Sequence, residues 1–152
     1  MNRFTIVIPT LNPDLELLVE ALHSALRSFD SRSREMEVLV CHNGAANRVL
    51  ESGSLDTFIK SGLTYRRFKN NLGFDENLRR AAEVATSDYV LVLGDDDLLS
   101  PDSISQTAND LAKNSPELAQ GETIFFYTEM QPDLSADGTD WKSGGRWAGA
   151  SV

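Results

Sequence analysis

Cysteine is almost absent from this sequence. The single thiol, Cys41, excludes a disulfide framework and a cysteine-rich metal site. It is compatible with a reducing compartment without requiring one. Long apolar runs are missing too: nothing approaches the ~20 residues that span a bilayer. The run from Phe4 to Pro9 is too short for a signal-peptide core, and Asn12-Pro13-Asp14 ends it. Basic residues are scarce beside acidic ones, 14 against 23, for a formal net charge of −9. That balance argues against nucleic acid or an anionic membrane as a general partner. The default location is the cytoplasm, with peripheral attachment at the inner face of the membrane left open. Internal repeats and low-complexity segments are also lacking.

What remains is an ordinary globular mixture: 152 residues, 41% apolar and 24% charged. A domain of this size buries roughly two thirds of its unfolded surface and needs no covalent staple. Phe4–Ile8 and Glu37–Cys41 are short β-branched apolar runs, the pattern of strands buried on both faces. Asn12, Pro13 and Asp14 predict a helix start, with Asn12 as the cap. Leu15, Leu18, Val19, Leu22 and Leu26 then follow at helical spacing to about Ser28. His42-Asn43-Gly44 reads as a turn. Val49 to Ile59 predicts a weak helix interrupted by Gly53. Leu63–Phe68 predicts a third strand, Asp75–Ala85 a helix and Tyr89–Leu93 a fourth strand. A helix begins at Pro101, and Thr123–Tyr127 predicts a fifth strand. No packed element is evident after Pro132, where Trp141 and Trp147 stand isolated.

Alternating strands and helices imply an α/β fold: a Rossmann-like, mostly parallel sheet with helices on both faces. Ligands of such sheets bind at the carboxyl ends of the strands. Four polar segments adjoin those ends: Pro9–Asn12, His42–Asn47, Asn70–Asn77 and Asp95–Asp97. The aspartate triplet is the sharpest feature. Three adjacent carboxylates beside an apolar strand repel one another unless a cation or hydrogen-bond donors compensate. Magnesium-like cations take one or two carboxylates together with substrate phosphates. A solvated acidic turn preceding the Pro101 helix accounts for the same residues.

Phe4–Asn12 (FTIVIPTLN), Glu37–Gly44 (EVLVCHNG), Asn71–Ala81 (NLGFDENLRRA) and Asp88–Pro101 (DYVLVLGDDDLLSP) resemble, in order and spacing, the nucleotide-sugar half of a family 2 glycosyltransferase. The glycine followed by three aspartates resembles members that build bacterial surface polysaccharides. The resemblance covers about Arg3 to Asp110 and implies a glycosyltransferase A type fold. It implies inverting transfer from a nucleoside diphosphate sugar to a saccharide or lipid-linked acceptor, with Mn²⁺ or Mg²⁺ on the diphosphate. Carried over by residue, Pro9, Thr10 and Asn12 would line the nucleotide pocket. Asn71, Gly73 and Asn77 would lie beside base and ribose, and Asp95 would serve the ribose. Asp96 and then Asp97 would hold the metal. Arg79 and Arg80 would add positive charge there or form a solvated helix face.

The departures are specific. His42 and Asn47 stand where the family usually carries two acids, the first of which bonds the base, so the nucleotide is open. His42 is read either as a ligand contact or as an ordinary loop histidine. Gly94 replaces the first acid of the acidic motif in many members. Only about forty residues follow Asp110, so the acceptor-binding half and its general base are unmatched. Glu129, Asp133, Asp137 and Asp140 are read as surface acids. The expected organisation is a nucleotide-sugar-binding domain over 1–128 and a tail, or the start of an acceptor half, over 129–152. A missing half would leave an apolar docking face and favour self-association. Two other functions fit parts of the pattern: a non-catalytic donor-binding module, and a phosphohydrolase with an aspartate nucleophile. The latter lacks a comparable D-x-D after the first strand.

Overall fold

A computed structural model describes residues 4–28, 36–44, 48–101, 103–114, 123–124 and 146–147. The chain divides into two compact units, residues 1–113 and 114–152. In the first, strands β1 (Phe4–Thr10), β2 (Met36–Asn43), β3 (Thr64–Phe68) and β4 (Tyr89–Val92) form one sheet. Helices α1 (Leu15–Arg27), α2 (Arg48–Glu51), α3 (Asp56–Lys60), α4 (Phe74–Val84) and α5 (Ser103–Asn114) connect or follow them. In the second unit, β5 (Thr123–Ile124) pairs antiparallel with β6 (Arg146–Trp147).

The four-stranded sheet runs in the order β3-β2-β1-β4 and all its pairings are parallel. β1 is central and every one of its seven residues is buried. Successive side chains alternate between two apolar layers. Ile6 and Ile8 join Val38 and Val40 beneath Leu18, Leu22 and Ala25 of α1, with Val49, Phe58 and Ile104. Val7 joins Leu39 and Cys41 beneath Ala81 of α4 on the other face. The helices on both faces are therefore those expected of a doubly covered parallel sheet. Among the described residues β4 is an edge strand, and Val90 and Val92 stay 40% and 52% exposed.

Three local expectations change. Asp14, not Asn12, caps α1: its carboxylate accepts from the N–H groups of Glu16 and Leu17, at 2.9 and 3.4 Å. Pro13 therefore precedes the helix instead of opening it. The segment from Val49 to Ile59 is two short helices, because Gly53 takes a φ of +70° that continues no right-handed helix. His42 and Asn43 extend β2 instead of turning the chain, since His42 pairs with Thr10 of β1 and Arg67 of β3, and Asn43 pairs with Phe68 of β3. Trp147 belongs to β6. Asn47, Phe125–Tyr127, Glu129, Asp133, Asp137, Asp140 and Trp141 lie outside the described residues.

The α1 cap generates a direct test. Asp14→Ala leaves two first-turn donors without their side-chain acceptor and should cost about 1 kcal/mol, read as a lower urea midpoint. An unchanged midpoint would show that water replaces the cap without loss.

Candidate nucleotide site

The sheet order reverses at β1. The chain lays β2 and β3 to one side and then returns to place β4 on the other. A crevice opens at such a reversal, outside the carboxyl ends of the two flanking strands. β1 delivers Pro9 and Thr10 there. β4 delivers Gly94–Asp97, the backbone N–H of Leu93 still donating to the Val7 carbonyl at 3.0 Å. The aspartates then leave the sheet in a turn closed by Asp97 N–H donating to the Gly94 carbonyl at 3.3 Å. α1 supports the far side of this turn: buried Ser24 donates to the Ala21 carbonyl and accepts from Leu99 N–H, at 2.7 and 3.0 Å.

Asp96 and Asp97 fold back over Gly94. A Cβ on that glycine would stand 2.5 Å from Asp97 Oδ2 and 3.0 Å from Asp96 Oδ1. Two carboxylates crowd one small volume, while Asp95 lies half-buried. Among the described residues no three metal-ligating His, Cys, Asp or Glu side chains form a group. The donor set is thus two carboxylate oxygens open to solvent. It fits a hard divalent cation that takes its remaining oxygens from a phosphate ligand and from water.

Thr10 and His42 are register partners at the ends of β1 and β2, and they are 4% and 1% exposed. Each carries an unpartnered buried atom, Oγ1 of Thr10 and Nε2 of His42. Buried polar atoms of folded proteins are nearly always bonded, and among the described residues Asn77 Oδ1 and Ser103 Oγ are unpartnered in the same way. The other ring nitrogen of His42 lies 2.6 Å from the Tyr65 hydroxyl on β3. Burial holds His42 below its ordinary pKa, the Leu11 backbone pulls the other way, and the charge of Arg67 adds to the lowering. Burial likewise raises the Tyr65 hydroxyl, so both groups stay neutral at pH 7.

Asn43, which the motif comparison passes over, organises the next loop. Its amide donates to Asn71 Oδ1 at 3.1 Å and to the Gly73 carbonyl at 2.8 Å, and its oxygen accepts from Leu72 N–H at 3.2 Å. Asn71 Oδ1 also accepts from Gly73 N–H at 3.0 Å. Gly73 takes a φ of +87°, which an L side chain would strain, and it leads into α4. Asn71 Oδ1 and the Gly73 backbone N–H and carbonyl are thus engaged in shaping this loop. Asn77 is 3% exposed and donates to the Cys41 carbonyl at 3.1 Å, leaving Oδ1 unpartnered. It sits on α4, which packs against the sheet face opposite Ile8 and Val40. The structure therefore gathers Pro9, Thr10, His42 and Asp95–Asp97 along the strand ends. Asn77 is set on α4, and Asn12 is exposed on the loop after β1.

The remaining candidates are structural. Arg79 pairs with Glu76 and Glu83 on the surface of α4, and Arg80 pairs with Glu76 and lies over the Phe68 ring. These guanidiniums hold the Glu76 carboxyl down to about 2. Cys41 is buried, and burial pushes its thiol up to about 11, which leaves it unreactive near neutrality. His23 contributes an edge-on contact to Phe58 at 5.0 Å.

The sequence matches the profile of Glycosyl transferase family 2 over residues 5–145. The chain belongs to that family. No curated protein matches it. Among solved structures, TarS of S. aureus, residues 1–349 with UDP-GlcNAc, superposes at a TM-score of 0.62 and 20% identity. The match covers 78% of this chain and 37% of TarS 1–349. The mannosyltransferase PcManGT from Pyrobaculum calidifontis, in complex with GDP-Man and Mn²⁺, superposes at 0.61 and 20% identity, over 83% of this chain and 36% of its own. These likenesses establish the shared α/β fold. The chain spans well under half the length of either neighbour. Among the described residues no helix is long and apolar enough to cross a membrane.

Two predictions follow from the family 2 site. Asn43→Ala removes three hydrogen bonds at once and should destabilise by about 1–3 kcal/mol. Amide exchange should quicken most at Leu72 and Gly73, whereas uniform acceleration would deny Asn43 its local role. The second concerns pH. With its folded value lowered, His42 takes up a proton in the unfolded chain first. Stability should fall as pH drops below about 6.5, toward the lower folded value. The urea midpoint should decline less between pH 7.5 and 5.5 in His42→Gln than in wild type, and equal slopes would contradict this.

Proposed function

We propose that this chain is the donor-binding part of a metal-dependent, inverting glycosyltransferase. It takes its sugar from a nucleoside diphosphate sugar and passes it to a saccharide or lipid-linked acceptor. The observation that carries the reading is the pair of carboxylates, Asp96 and Asp97, folded over Gly94 beside β1 at the sheet reversal. Family membership supplies the chemistry to which such a pair is suited. The neighbours' complexes, one with UDP-GlcNAc and one with GDP-Man and Mn²⁺, support the same ligand class.

In this reading Asp96 and Asp97 hold Mn²⁺ or Mg²⁺. Bound there, the cation supplies Lewis-acid neutralisation of the charge that grows on the departing diphosphate. The protein's own residues bind and orient. Pro9, Thr10 and Asn12 line the nucleotide pocket from the end of β1, with the unpartnered Thr10 hydroxyl free to bond the ligand. His42 offers its Nε2 to a polar group of the nucleoside. Asp95 receives the ribose hydroxyls. Asn71 and Gly73, in the loop held by Asn43, and Asn77 on α4 lie beside the base and ribose. The general base belongs to the acceptor half. A second reading is a donor-binding module without turnover, which would use the same strand-end residues for binding alone.

Calorimetry of the full chain with nucleoside diphosphates and Mn²⁺ tests the first reading. At least one nucleotide should bind, and Asp96→Ala should weaken metal-dependent binding by tenfold or more, about 1.4 kcal/mol. Heat that is absent for every nucleotide, or unchanged by Asp96→Ala, would reject it. Sugar transfer, or donor hydrolysis at an enzyme-like rate, by the purified chain would reject the module.

A further inference from the structure

Among the described glycines, Gly44 has no positive φ and a Cβ there would meet Leu11 Cδ1 at 3.2 Å, and the other four divide into two kinds. Gly53, Gly62 and Gly73 have positive φ values of 70°, 105° and 87°. Around Gly62 and Gly73 a Cβ would meet nothing within 4 Å, and at Gly53 the nearest atom would be 3.8 Å away. They are there because the backbone takes a left-handed conformation. Gly94 is different. Its φ is not positive, and an alanine there would adopt the same backbone. What Gly94 lacks is volume. All three of the nearest atoms to its absent Cβ belong to Asp96 and Asp97, at 2.5, 3.0 and 3.0 Å.

We propose that Gly94 is a positioning residue for the metal: by having no side chain, it lets two carboxylates converge above the end of β4 into a two-oxygen clamp. This inference rests on the metal reading given above and goes beyond it. It assigns clamp geometry to a residue that touches neither metal nor substrate.

The physical argument has two parts. Real Cβ atoms essentially never approach an oxygen to 2.5 Å, so a methyl group at position 94 must displace the Asp97 carboxylate. That carboxylate is the far end of an exposed side chain, so the displacement costs the fold little. Convergence itself is unfavourable without a cation, because like charges held close repel. An alanine at 94 relieves that repulsion and, like other Gly→Ala changes at compatible φ, reduces the freedom of the unfolded chain. The unliganded protein therefore gains or keeps stability while the clamp opens. A glycine needed only by the fold would show the opposite pattern.

The experiment compares wild type, Gly94→Ala, Asp97→Asn and the double variant, all as the full chain. Free Mn²⁺ is titrated by electron paramagnetic resonance with nucleoside diphosphate present, and thermal unfolding is followed with and without Mn²⁺. Gly94→Ala should weaken Mn²⁺ binding at least tenfold and shrink the Mn²⁺-induced rise in Tm. Its metal-free Tm should equal or exceed that of wild type. Because Gly94 acts through Asp97, the double variant should lose no more affinity than Asp97→Asn alone. Wild-type Mn²⁺ affinity in Gly94→Ala would overturn the inference, as would a lower metal-free Tm or fully additive losses in the double variant. If wild type itself binds no Mn²⁺, the metal reading fails and this inference with it. Wild-type binding that Gly94→Ala leaves intact removes the inference alone.

Discussion

The reversal of strand order at β1 is the constraint on which the rest depends. β1 is buried on both faces and flanked by β2 and β4, so its polar end has only one direction in which to meet solvent, outward from the carboxyl edge. An apolar strand that ends in Pro9 and Thr10 thus comes to lie beside one that ends in Gly94 and three aspartates. The concentration of charge at this edge follows from topology and is tolerable because the turn projects the acids into solvent.

Around that edge the chain invests in rigidity. Ser24 fixes the segment after the aspartates, and Asn43 fixes the loop before α4. Tyr65 holds the His42 ring through a hydrogen bond at Nδ1. Each brace comes from an element of the packed layers, α1, β2 or β3, so binding groups on loops inherit the order of the core. Small shifts in such braces would be felt at the site, because the interior beneath it is close-packed.

Much of this was legible in the sequence. Runs such as Ile6-Val7-Ile8 and Val38-Leu39-Val40 announce buried parallel strands, and the acidic triplet marks a strand end without any knowledge of the partner strands. The failures have physical causes. Asn12 and Asp14 are both good caps, and only the backbone at Asp14, φ −66° and ψ 121°, decides between them. Asn43 looks like a turn residue beside Gly44, and its bonds span 28 to 30 residues, beyond any local pattern. The pairing of Trp147 with Thr123 is equally non-local. Gly94 reads as a departure from the acidic motif, and its steric role becomes visible only when the side chains of Asp96 and Asp97 are placed.

The most direct measurement is a crystal structure of the full chain with a nucleoside diphosphate and Mn²⁺, with anomalous scattering used to locate the metal. The account predicts one strong anomalous peak coordinated by Asp96 and Asp97, bridging to the diphosphate, with the nucleoside toward Thr10 and His42. A peak elsewhere, or a nucleotide bound away from the ends of β1 and β4, would contradict it.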